Sequence, residues 1–132
     1  MKTYLFGLIL VFAGLAQPAP AMTSDAAEQI RFFATCLGRV SATMEHEWLM
    51  GRSGDQAQGQ RKLFESLVEA VLPDARRAGL TSAQVLNMRI EAKFAQARLL
   101  QTATFQTDER RKRYAARIAE REIGTCNSML LG

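Results

Sequence analysis

Histidine occurs once in this chain, tryptophan once, cysteine twice and proline three times, with two of the prolines before residue 21. Each scarcity closes a chemical route. A zinc hydrolase of the HExxH kind needs two imidazoles one helical turn apart, and here His46-Glu47-Trp48-Leu49 is followed by Met50. A di-iron carboxylate site needs ExxH, but Thr43 stands where the glutamate would be. Triad hydrolysis would rest on His46 alone, and no nucleophile-elbow glycine pattern accompanies a serine. Cys36 and Cys126 form neither CxxC nor CxxCH, which removes a vicinal redox pair and covalent haem. Paired-carboxylate chemistry stays open, since 13 acidic residues offer many pairings. The chain therefore reads as non-catalytic and without a cofactor, a cell-envelope hydrolase being the least favoured alternative.

Long apolar runs are also missing. The longest, Leu5 to Ala16, is too short to cross a bilayer, for which about 20 residues are needed. Placed after Lys2 and before the small-residue exit Ala19-Pro20-Ala21, it has the form of a secretory signal peptide over residues 1–21. Residues 22–132 then form one helical domain, with no transmembrane segment in the mature chain and a periplasmic or secreted destination. No cysteine stands at the cleavage point to carry a lipid. In an oxidising compartment, the two cysteines are expected to pair as a structural disulfide. With Lys2 removed, 16 basic side chains face 13 acidic ones, a net charge of +3. That is too little to argue for nucleic acid.

What is present is helical periodicity, and the fold class it predicts is all-α: a single-domain four-helix up-down bundle. A first helix from Ser24, as N-cap, to about Met50 lines up Ala26, Ile30, Phe33, Cys36, Leu37, Val40, Met44 and Trp48 on one stripe. A second carries Phe64, Leu67, Val68, Val71 and Ala75 inward, with a kink or fresh turn expected at Pro73. Gly79 suits a left-handed stop, and Thr81 with Gln84 forms a capping box before a third helix from Ser82 to about Thr104. That helix has two apolar seams. Leu86, Ile90, Phe94 and Ala97 make one, and Val85, Met88, Ala92, Ala95, Leu99 and Ala103 the other. Either it is central and covered on both sides, or the second seam, through Val85, Met88, Ala92 and Leu99, joins a homodimer or another partner. A fourth helix, from near Thr107, turns Tyr114, Ile118, Cys126 and Met129 inward.

A Cys36–Cys126 bond ties helix 1 to helix 4 and sets a register for two antiparallel helices of equal rise. It places Phe33 by Met129, Met44 by Ile118 and Trp48 by Tyr114. The same register brings two inward charges toward partners, predicting structural ion pairs between Glu47 and Arg111 and between Arg39 and Glu122.

Two surface features bear on function. Met44, His46 and Met50 invite a copper(I) reading. On a helix, however, His46 points away from Met44, so no metal site is assigned and His46 with Met50 remains the candidate pair, His46 otherwise being a solvated side chain. The stronger feature is Arg110, Arg113, Arg117 and Arg121, one side of the last helix, which suits an envelope protein or other anionic partner. It lacks the stacking aromatics that single-stranded nucleic acid uses.

Leu80-Thr81-Ser82-Ala83-Gln84 resembles the LTxxQ motif of the Spy/CpxP family, small exported helical chaperones and stress sensors, over these five residues and in one copy. The resemblance implies a chaperone-like role. The expectation is thus an exported, non-catalytic helical protein acting through protein interaction, as adaptor, chaperone-like factor or envelope accessory. The alternative is a periplasmic protein binding a metal or small ligand through His46 and Met50.

Overall fold

The computed structural model describes residues 21–131 and the side chains of residues 26–130, so the expected signal peptide lies outside the described residues except for Ala21. Four α-helices follow one another: α1 (Ala21–Leu49), α2 (Asp55–Arg77), α3 (Ser82–Phe105) and α4 (Glu109–Leu131). Short connections make sequential neighbours antiparallel. α1 begins at Ala21, so Ser24 lies within its first turn instead of capping it. Ala21 and Met22, both good helix formers, extend the helix backwards. α2 runs through Pro73 to Arg77 without a fresh turn.

The turns are built from local chemistry. Gly79, at φ 95°, ends α2. Its N–H donates to the Arg76 carbonyl and that of Leu80 donates to the Ala75 carbonyl, both at 3.0 Å. This is a Schellman arrangement, in which a left-handed residue lets the chain return onto the last turn. Buried Leu80 then packs with Ala75 and with Val85 at the start of α3. Thr81 caps α3: the Gln84 N–H donates to its hydroxyl at 3.2 Å, while the Thr81 N–H donates to Gln84 Oε1 at 2.8 Å. Asp108 caps α4, its Oδ1 accepting from the N–H groups of Arg110 and Arg111 at 2.9 and 3.1 Å.

α1 is the central helix, a place the sequence offered to α3. One side of it, Phe33, Cys36, Leu37 and Val40, packs with Phe64 of α2 and Cys126 of α4. Another, Ile30 and Ala34, meets Ala75, Leu80 and Val85. The third side is small: Ala34, Gly38, Ser41 and Ala42 are all buried. A Cβ built on Gly38 would lie 2.2 Å from the Arg89 carbonyl oxygen and 2.9 Å from the Lys93 nitrogen, so α3 lies almost backbone to backbone on α1 there. α3 buries Val85 and half-buries Met88, Ala92 and Leu99 within the chain, while Leu86, Ile90 and Phe94 face outward. The seam proposed for a dimer is therefore largely occupied by the chain itself, and the free seam is the other one.

α4 lies mainly against α3 and meets α1 chiefly around the disulfide. Its buried face consists of Ala115, Ala119 and Cys126, with Ile123 and Leu130 packed on the core cluster. Tyr114 and Met129, expected on the inward face with Ile118 and Cys126, are exposed. Alanine lets α4 approach closely, so the larger side chains are carried to the rim. Trp48 is also half-exposed. Its indole N–H donates to the Ser53 carbonyl at 2.9 Å and lies over Gly54, so it braces the α1–α2 turn instead of meeting Tyr114.

Candidate functional site

Cys36 and Cys126 are joined by a disulfide with Cα atoms 5.5 Å apart, both residues are fully buried, and no free cysteine remains among the described residues. One turn away, Arg39 forms an ion pair with Glu122 and also reaches its backbone carbonyl. Glu47 and Arg111 are not paired. The register inferred from the disulfide assumed parallel axes, and it fails two turns further along because α4 leaves α1 to lie on α3. An α1–α3 pair that the register could not reveal, Lys93 with Glu45 at 2.6 Å, stands on the other side of α1.

The arginines of α4 divide. Arg110, Arg113 and Arg117 gather with Arg111 and Tyr114 around an open hollow of about 500 Å³ on the outer face of the helix. Arg121 stands outside this hollow, beside Glu122 at 3.4 Å. Arg113 lies 3.7 Å from Glu109, an exposed pair of the kind that contributes about 0–1 kcal/mol. No ion pair engages Arg110 or Arg117 among the described residues. Arg111 and Tyr114 also border a second hollow between α3 and α4, opposite Arg98 and Leu99, so the basic face continues onto α3.

His46 is not the solvated side chain expected of it. It is half-buried between α1 and α3, with Nε2 3.0 Å from the Thr104 hydroxyl. Burial, then the positive charge of Arg52, lowers its pKa below the ordinary 6.5, and Glu47 opposes the shift. Met50 lies past the end of α1 and is exposed, while Met44 is buried in the core. Among the described residues no group of three His, Cys, Asp or Glu side chains is placed to hold a metal ion.

Where α1 and α4 diverge, a cleft of about 390 Å³ opens between α1, α3 and α4. α1 contributes Thr43, His46 and Glu47, with Arg52 of the following turn; Leu100 and Ala103 of α3 and Ala116, Ala119 and Ile123 of α4 supply apolar lining, and Glu120 stands on the α4 side. Gln96 belongs to the same lining and is 2% exposed. Its Nε2 donates to the Ala119 carbonyl at 3.2 Å, which fixes the amide orientation, and its Oε1 accepts nothing. Such a buried acceptor costs about 1–3 kcal/mol. Neither Gln96 nor Glu120 stands out in the sequence. The available signal was a glutamine amid Ala92, Ala95 and Ala97, on a helix whose alanines pack closely.

No protein-family model matches the chain, and neither a curated protein nor a solved structure does. The likeness to the LTxxQ motif rests on Leu80–Gln84 alone, where Thr81 and Gln84 act as a helix cap.

Proposed function

We propose that the protein is an exported, non-catalytic helical protein whose α4 arginine face binds an anionic protein partner in the periplasm or outside the cell. The observation that carries this reading is the gathering of Arg110, Arg111, Arg113 and Arg117 around one open hollow with Tyr114. Side by side, these guanidiniums repel one another, and a carboxylate-rich surface would relieve that repulsion through charge-assisted, bidentate hydrogen bonds. Tyr114, exposed at the centre, offers a rigid ring and a hydroxyl of the kind interfaces favour. The outward seam of Leu86, Ile90 and Phe94 adds an apolar surface suited to an adaptor or chaperone-like role. Export is supported by the leading segment Lys2 to Ala21 and by the buried disulfide.

Charge reversal tests the reading. Arg113→Glu with Arg117→Glu changes two exposed side chains and should leave the helical fold intact while abolishing salt-sensitive capture of the envelope partner. Undiminished capture by the folded variant would refute it. A second reading, binding of a small ligand, is favoured by the cleft that His46 lines between α1, α3 and α4.

A further inference from the structure

The chain leaves one seam of α3 uncovered. Leu86, Ile90 and Phe94 follow one another a turn apart, are 52%, 40% and 59% exposed, and lead to half-buried Ala97 in the next turn. Two charges border this strip. Glu91 and Arg98 stand two turns apart, so they share one edge of the helix. Both are exposed, and among the described residues no hydrogen bond or ion pair engages either side chain. On the other edge, Lys93 is already paired with Glu45 of α1 at 2.6 Å.

This face is complementary to itself. A two-fold axis perpendicular to α3 sets two copies antiparallel and turns each edge onto the same edge of the other copy. With Phe94 on the axis, Ile90 of one copy falls opposite Ala97 of the other, a large side chain against a small one. In the same register Glu91 comes within one residue of facing Arg98, and exposed Phe105 falls over Ala83 at the end of the strip. A parallel pairing would instead turn Glu91 toward the Lys93 edge, where the cation is already held by Glu45. Arg98 also borders a hollow with Arg111, and a carboxylate brought by a second copy offsets that concentration of positive charge. We infer that the protein forms an antiparallel homodimer through the outward face of α3, with two reciprocal Glu91–Arg98 ion pairs at its rim. The apolar strip supplies the attraction, and the rim pairs fix the orientation. Such a dimer carries two α4 arginine faces, which gives an adaptor two binding surfaces. The inference does not rest on that role, because the arginine face belongs to another helix, so either proposal can fail without the other.

Sedimentation equilibrium of the disulfide-bonded protein, over concentrations reaching about 1 mM, tests the inference, with circular dichroism to follow the helical fold of each variant. The parent is expected to show a concentration-dependent monomer–dimer equilibrium. Phe94→Glu sets two carboxylates against each other at the axis and should leave only monomer. Glu91→Arg and Arg98→Glu each replace two attractions by two repulsions, and each should weaken dimerisation roughly tenfold or more. Combining the two restores opposite charges across the axis and should return the affinity to within about threefold of the parent. That recovery is specific to the antiparallel contact, since loss of a surface charge on its own cannot produce it. A parent that stays monomeric throughout leaves the seam to an unlike partner and overturns the proposal, as would a dimer indifferent to Phe94→Glu or a charge-swapped variant no tighter than the single ones.

Discussion

Gly38 is the residue on which the seating of α3 depends most directly. An added methyl would lie 2.2 Å from the Arg89 carbonyl oxygen, which is backbone and cannot swing aside. Gly38→Ala gains about 1 kcal/mol of helix propensity but incurs overpacking of about 3 kcal/mol, so we expect a net loss of about 2 kcal/mol in urea unfolding. His46 supplies a pH-dependent counterpart. Its folded pKa lies below the ordinary 6.5, so at falling pH the unfolded chain takes up the proton first. Stability from this residue is therefore complete above pH 6.5 and is lost as pH falls through 6.5 toward the lowered folded pKa. The melting temperature should drop less over that window in His46→Gln than in the parent. At this scale the sequence could single out Glu47 as an acid on an apolar face, but not its surroundings. A lone acid reports a constraint without saying which helix approaches it.

Helix ends were legible where a few adjacent residues determine them. Gly79, Thr81 and Gln84 specify a left-handed stop and a reciprocal cap without help from the remainder of the fold. Thr81→Ala should cost about 1 kcal/mol, measured by denaturant titration, because the residue is exposed and its contribution is the cap. Helix faces were less legible. α3 carries two apolar seams, and periodicity cannot say which one the chain will cover. The choice follows from Gly38, Ser41 and Ala42, whose small side chains let α3 approach along α1. On α4, the expected inward face included Tyr114 and Met129, whereas close approach selects Ala115 and Ala119.

For the whole molecule, the disulfide links two helices that otherwise touch little. It closes a separation of 90 residues, worth about 4.6 kcal/mol in the chain-entropy model, an upper figure. Replacing both cysteines by alanine should lower stability by up to about 4 kcal/mol, and hydrogen exchange should accelerate first in the C-terminal half of α4. The register drawn from that bond is useful within a turn of it, where Arg39 meets Glu122, and fails at Glu47 and Arg111 because a single point cannot define a crossing angle. The same divergence opens the cleft and leaves α4's outer face free for a partner. The arginine face is tested most directly by a photo-crosslinking residue at Tyr114 in cells producing the protein, with a control at exposed Leu63 on α2. A discrete adduct is expected from position 114, absent from position 63 and lost when Arg113 and Arg117 are changed to Glu. An adduct indifferent to that charge reversal, or the same adduct from position 63, would contradict it.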